Sequence, residues 1–374
     1  MNRGRLEQQR YIPVMKTSDA ELKGMHNLSG DVLDALCPMF ELTKSRFHKN
    51  TNPDSKVERR MKVIQDIMGE RPFILDLIGE ERFQNKEIKQ FFDETDGYQN
   101  WRNFLVSHDW ASLIPTLLLD GDASVDNLTE QARQLEADFG AVCLRIGCVE
   151  HDEDDSSAFE FFDDDVEDFV RPVFEALDNT RNCILMIDVG FIPYGEMGRF
   201  ADCVMDIIAK IENLGLGSPK TYVPIGSSFP QMVAQKNYGD DRHGIFPMLE
   251  WTMFLRLRDR GIDSLTYGDY ASIHPLRYNA LGYNWVPRVD APMADKYIYH
   301  RYRREIVGKP YAGYDLAAEY MLNDPEYESC DSWGDKQIRL AAAHDKDVGR
   351  GPASWIAIRE NIHITRRVRL LESL

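Results

Sequence analysis

Paired cysteines, long apolar runs and basic charge are all scarce in this sequence of 374 residues. Its six cysteines (Cys37, Cys143, Cys148, Cys183, Cys203 and Cys330) form no CxxC pair and no finger-like spacing, which argues against a structural zinc or a dithiol motif. Cys37, Cys143 and Cys183 fall inside apolar runs, where a cysteine acts as a small buried hydrophobe. A reduced, cytoplasmic protein is the expectation. No apolar stretch reaches the ~18–20 residues that span a bilayer. The polar opening Met1-Asn-Arg-Gly-Arg-Leu-Glu-Gln-Gln-Arg10 lacks the apolar core of a signal peptide, so no membrane partner is expected. With 44 Lys and Arg against 62 Asp and Glu, the formal charge is −18. That balance disfavours non-specific binding to nucleic acid or anionic lipid. The nine histidines are scattered, without HExxH or paired spacing, so zinc is not expected. The missing GxSxG, GxGxxG and Walker patterns argue against a serine hydrolase elbow, a dinucleotide fold and a P-loop.

Eight short apolar runs are present instead, most of them ending in a charged or hydroxylated residue. They are Tyr11-Ile-Pro-Val-Met-Lys16, Cys37-Pro-Met-Phe-Glu41, Pro72-Phe-Ile-Leu-Asp76 and Leu113-Ile-Pro-Thr-Leu-Leu-Leu-Asp120, then Ala141-Val-Cys-Leu-Arg145, Cys183-Ile-Leu-Met-Ile-Asp188, Thr221-Tyr-Val-Pro-Ile-Gly-Ser-Ser228 and Ser264-Leu-Thr-Tyr-Gly-Asp269. Near-continuous apolar runs suit strands buried on both faces. Helical patterns fill the gaps at 19–36, 55–69, 80–92, 124–139, 163–177, 196–214 and 246–260. The alternation predicts an α/β fold, a (β/α)8 TIM-like barrel over residues 1–285. A small α+β appendage over 286–374 follows. There, Tyr297-Ile-Tyr-His-Arg-Tyr302 reads as an exposed or edge strand, 313–322 and 333–343 as helices, and 355–364 as a closing strand. From Lys296 to residue 374 the chain is nearly neutral, with 13 Lys and Arg against 12 Asp and Glu, so the acid excess lies in the barrel region. An acidic stretch at 151–168 reads as a solvated loop and an acidic first helical turn.

Strand alternation sorts the run-end residues by face: Ile74 shares one with Asp76, and Ile184 and Met186 share one with Asp188. Lys16, Glu41, Asp76, Arg145, Asp188 and Asp269 are expected to converge at one mouth of the sheet, where barrels keep their chemistry. Two cations among four carboxylates can form a structural network. Alternatively, Glu41, Asp76 and Asp188 hold a divalent ion, with Glu41, Asp188 and Asp269 as acid and base groups. An all-oxygen set favours Mg²⁺ or Mn²⁺ over zinc. Lys16 and Arg145 would bind an anionic substrate. Ser227 and Ser228 in Gly226-Ser-Ser-Phe-Pro230 could cradle a phosphate, or merely form a turn. Tyr270, with Tyr267 and Glu250-Trp251, could stack a base or sugar, or fill the core. Trp333-Gly-Asp335, Trp355 and Asn361-Ile-His363 suit either a lid or a staple for the appendage.

These residues resemble the phage and bacterial "beta protein" family nearly end to end. The likeness runs through Tyr11-Ile-Pro-Val-Met-Lys16, Ala20-Glu-Leu22, Pro38-Met-Phe-Glu41, Asp76, Arg145 and Asp188. It continues through Gly226-Ser-Ser-Phe-Pro230, Glu250-Trp251, Gly268-Asp-Tyr270, Trp333-Gly-Asp335 and Asn361-Ile-His-Ile-Thr365. The resemblance implies a protein of phages, prophages and mobile elements, with phage–host conflict and anti-phage defence as its setting. It brings no reaction and no catalytic residue.

The leading expectation is metal-assisted hydrolysis of a phosphate-bearing substrate, a nucleotide or a nucleic-acid end. A catalytically idle module that binds a phage or host protein is the rival from another class. A metal-free carbohydrate-active enzyme is the third reading, with Glu41, Asp120 and Asp188 as candidate carboxylates.

Overall fold

A computed structural model of the chain describes residues 9–108, 110, 112–119, 124–147, 165–233, 242–262, 264–276, 285–302, 312–348 and 350–374. Its strands are β1 (Tyr11–Lys16), β2 (Met39–Leu42), β3 (Phe73–Leu77), β4 (Leu113–Pro115), β5 (Val142–Gly147), β6 (Cys183–Phe191), β7 (Thr221–Ser227), β8 (His243–Pro247), β9 (Tyr267–Asp269), β10 (Arg288–Pro292) and β11 (Lys296–Arg301). The helices are α1 (Asp19–His26), α2 (Gly30–Asp34), α3 (Glu58–Met68), α4 (Lys86–Phe91), α5 (Thr95–Val106), α6 (Val125–Phe139), α7 (Arg171–Ala176), α8 (Met197–Asn213), α9 (Leu249–Asp259), α10 (Ala312–Leu322), α11 (Trp333–Ala342) and α12 (Pro352–Glu372). No helix among the described residues is long and apolar enough to cross a membrane.

Local chemistry sets the helix ends. Ser18 caps α1, its side chain accepting from Glu21 N–H, and Ser124 does the same for α6 through Asn127 N–H. Each oxygen satisfies a donor that the first helical turn leaves open. α6 stops at Gly140, which takes the left-handed conformation at φ 71°. α8 buries Phe200, Val204, Ile207, Ile208 and Ile211, the i, i+4, i+7, i+8 stripe that presses a helix onto a sheet.

The expected closed eight-stranded barrel is corrected by the ladders. Parallel strands form a five-stranded sheet in the order β4-β3-β2-β1-β9 and a separate three-stranded sheet β5-β6-β7. Between them run isolated bridges, Thr116 to Cys143 and Tyr222 to Leu265, where a barrel would need ladders. The physical reason lies in the junction strands. β4 has three residues and ends in Pro115, which has no N–H to donate. β9 also has three, and the chain enters it through Ser264 at φ 59°. A third sheet, β10-β11-β8, is antiparallel.

Two readings near the carboxyl end are corrected as well. β11 lies in the centre of the antiparallel sheet, between β10 and β8, and is not an edge. Residues 355–364 belong to helix α12 and are not a strand. Its first half packs Trp355, Ile358 and Ile362 with Val289, Ile298 and Met321, while Ile364, Val368 and Leu371 join the main core.

Candidate functional site

One face of both parallel sheets shares a core of Ile12, Val14, Met39, Ile74, Cys143, Ile184, Met186, Val223 and Ile225. Strand alternation carries this face to the carboxyl ends. Two positions past Val14 comes Lys16, and past Met39, Ile74, Cys143 and Met186 come Glu41, Asp76, Arg145 and Asp188. Parallel registry aligns Lys16 with Glu41 and Glu41 with Asp76 across β1, β2 and β3.

Arg145 is the hub of these residues. Its Nη1 donates to Glu41 Oε1 and to Asp76 Oδ2, each at 2.9 Å. Its Nε and Nη2 reach Asp188 Oδ2 at 3.0 and 2.7 Å, and Nη2 also reaches Tyr270 OH at 2.9 Å. The Tyr270 hydroxyl in turn donates to Asp188 Oδ2 at 2.5 Å. Lys16 Nζ lies 3.2 Å from Glu41 Oε2 and 3.4 Å from Glu80 Oε1, and donates to Pro275 O at 2.8 Å. These charged side chains are buried, Asp188 completely, except Glu80, which is partly exposed. Charges stripped of water to this degree persist only when paired.

The environments of the two foremost carboxyls differ. Burial raises the Asp76 carboxyl to about 6, with Arg145 only partly offsetting it and Glu41 adding to it. Burial also opposes the Glu41 charge, but Lys16 and Arg145 outweigh it and hold that carboxyl below its ordinary range. Burial likewise works against the Lys16 ammonium, yet Glu41, Glu21 and Glu80 keep it above its usual value. The Tyr270 phenol is raised well above its ordinary value by burial and by Asp188.

A cavity of about 330 Å³ opens on this network, with Lys16, Glu41, Asp76 and Arg145 on its wall. Glu80 and Asp165 add carboxylates, and Phe92 and Phe169 add aromatic surface. Asp188 and Tyr270 sit behind Arg145 and fix its guanidinium from the rear. Glu41, Asp76 and Asp188, the carboxylates expected to hold a metal, are all bridged by Arg145.

The other expected site residues lie elsewhere. Asp269 accepts from Tyr11 and Tyr267 hydroxyls, both at 2.5 Å, and pairs with His363 Nε2 at 2.7 Å. Burial opposes its charge, but His363 and the two phenols hold its carboxyl below the ordinary range. Ser227 Oγ accepts from Phe229 N–H, and Ser228 Oγ donates to Glu250 Oε2 at 2.5 Å, closing a buried turn. Trp251 packs edge-on against Tyr267 in the core. Asp120 and residues 151–164 lie outside the described residues. Two members of the network escaped the sequence reading. Glu80 lies beyond the end of its run, and Glu21 accepts from Lys16 N–H at 2.5 Å. For Glu21 the Ser18-x-x-Glu21 capping pattern was the available signal.

Comparison with known proteins adds two findings. The model of the family described as "Beta protein" matches residues 11–369. "Protein beta" of Enterobacteria phage P4 is 26% identical over 366 residues, covering 97% of this chain and 94% of that protein.

Proposed function

The chain belongs to the Beta protein family, and from that premise we propose that it is a phage-associated hydrolase using Asp76 as proton donor and Glu41 as base or nucleophile on a glycoside. The observation that carries this reading is the unequal carboxyl pair on one cavity wall, both held by Arg145 Nη1 at 2.9 Å. Two carboxyls whose environments drive their proton affinities apart are the usual mark of an acid and a base. Retaining glycosidases set such a pair only about 5–5.5 Å apart, and two groups sharing one guanidinium nitrogen are near neighbours. Phe92 and Phe169 offer apolar surface to a sugar face, as aromatic rings do in polar pockets. Lys16 holds Glu41 ionised, while Arg145 positions both carboxyls and is itself positioned by Asp188 and Tyr270.

This reading replaces the anion clamp because Lys16 and Arg145 are already committed to carboxylates. Breaking such a buried pair to admit a phosphate costs about 3–5 kcal/mol. A phosphate ester remains the second reading. Glu41, Asp76, Glu80 and Asp165 outnumber the two cations on the wall, and that excess would draw in Mg²⁺ or Mn²⁺ along with such a substrate.

A panel of aryl glycosides and bacterial surface polysaccharides tests the proposal against phosphate esters assayed with Mg²⁺, Mn²⁺ or chelator. Glycoside turnover should fall about 10²–10⁴-fold in Asp76→Asn and in Glu41→Gln. In the wild type it should decline as pH rises through about 6, because the donor must carry its proton. Turnover of phosphate esters alone, dependent on the cation, would favour the second reading. Unchanged glycoside turnover in both folded variants would remove the assignment.

A further inference from the structure

Away from that cavity, the antiparallel sheet brings together three side chains that the sequence places far apart. His243 opens β8, His300 lies in β11, and the two are directly paired across the ladder. Cross-strand partners share a face, and their imidazoles stack at 4.5 Å between centroids. Asp324, just beyond α10, completes the group. Its Oδ2 lies 3.0 Å from His243 Nε2 and 2.9 Å from His300 Nε2. Its Oδ1 accepts from Glu326 N–H at 2.9 Å, which fixes the carboxylate plane.

We propose that His243, His300 and Asp324 form a binding site for a divalent metal, Zn²⁺ being the ion that best suits two imidazoles and one carboxylate. All three donor atoms lie within 4.8 Å of one another. Ligands around a tetrahedral zinc, at bonds of about 2.0–2.1 Å, sit about 3.3 Å apart. The two His–Asp spacings are a few tenths of an ångström shorter. His243 can supply that adjustment, because its side chain is 43% exposed whereas His300 and Asp324 are 8% and 4% exposed. The same exposure leaves an entry path and a position for water as fourth ligand. Tyr320, itself half exposed, stacks on His300 at 6.0 Å. The Glu326 amide does for Asp324 what outer partners do for ligating carboxylates, orienting it before the metal arrives. Histidine scatter along the sequence hid the group, since its spacing exists only across strands.

Full-length protein stripped with chelator and titrated with Zn²⁺ alone should take up one ion per chain in isothermal calorimetry. His243→Ala and Asp324→Asn should each weaken that binding at least about tenfold. Co²⁺ in place of Zn²⁺ should give the visible absorption of a tetrahedral nitrogen–oxygen site in the wild type, a readout that does not depend on how any variant folds. Zn²⁺ should also raise the wild-type melting temperature and leave that of His243→Ala unchanged, as expected of a ligand that binds only the folded state. Absence of stoichiometric uptake, an octahedral Co²⁺ spectrum, or equal affinity in the variants would each overturn the site. Asp76→Asn should bind Zn²⁺ like the wild type, which separates this test from that of the cavity.

Discussion

At the scale of single residues, the molecule tolerates much buried charge where each charge has a partner, and Glu360 is where that rule fails. Arg145 pairs with three carboxylates, and both oxygens of Asp188 accept hydrogen bonds, Oδ1 from Gly190 N–H. Glu360, by contrast, is fully buried in α12, and neither of its carboxyl oxygens has a hydrogen-bond partner among the described residues. Burial pushes its carboxyl well above the ordinary range, and Glu21 adds to the shift. Between the ordinary carboxylate range and that raised value, the folded chain therefore holds a proton that the unfolded chain has released. Stability is undiminished below the ordinary carboxylate range, and it falls as pH rises from there toward the raised value. Glu360→Gln keeps the shape and removes the titration. It should stabilise the protein at pH 7 by on the order of 1 kcal/mol more than at pH 4. Urea denaturation at both pH values measures this, and a gain independent of pH would refute the explanation.

At the scale of elements, the α11–α12 contact shows how closely backbones approach here. Gly334 lies where a Cβ would sit 2.4 Å from Ile358 O and 2.6 Å from Ile362 Cγ1. Its N–H donates to Asn361 Oδ1 at 2.9 Å, and Asn361 Nδ2 donates to Gly24 O of α1. Trp333-Gly-Asp335 and Asn361 thus act as a staple and not as a lid. Gly334→Ala should cost about 1–3 kcal/mol, the usual range for overpacking a tight interior. Thermal melting checks this, and a change within experimental error would mean that the two helices can part without loss.

The same elements mark how far the sequence could be read. The strand-end residues Lys16, Glu41, Asp76, Arg145 and Asp188 were legible because a charge at the end of a buried alternating face has to find a partner. Asp269 was misplaced although alternation contained the answer. It follows Tyr267 by two positions and faces α12, so its neighbour Tyr270 turns to the other side and meets Asp188. Helix α12 was misread because Trp355, Ile356, Ile358, Ile362 and Ile364 carry strand-like composition. Its polar side, Arg359, Glu360, Asn361, His363 and Arg367, is buried as well, so no solvent-facing stripe revealed the helical period. Pro352 at the first turn was the usable sign of a helix start. The end of β8 was read as the start of the following helix and β10 was not read as a strand, so neither neighbour of β11 was foreseen. The parallel strands part into two sheets near Pro115 and Ser264, a level of detail that apolar patterning does not encode.

At the scale of the whole molecule, α12 decides whether the chain unfolds in one step or two. The main core gathers residues from both parallel sheets and their helices, while a second core is built around β10, β11, α10 and α11. Two cores of this kind can melt independently when a loose linker joins them. Here one 21-residue helix enters both, and its buried polar groups fasten it further. Arg359 Nη1 donates to Asp290 Oδ2 at 2.8 Å, with its guanidinium 3.9 Å from the Phe229 ring centroid. His363 holds Asp269, and Arg367 Nη2 donates to Met293 O at 2.6 Å. Neither core can lose α12 without stranding some of these groups, and a buried charge left without its partner costs about 3–5 kcal/mol. Circular dichroism and tryptophan fluorescence should therefore report one coincident urea transition. The six tryptophans sample both cores, with Trp101 and Trp251 in the first and Trp355 in the second. Truncation after residue 350 should abolish that transition in both probes, because it removes the shared helix. Two separated transitions in the intact chain, or a truncated protein that still melts cooperatively in its main core, would show that the cores stand alone.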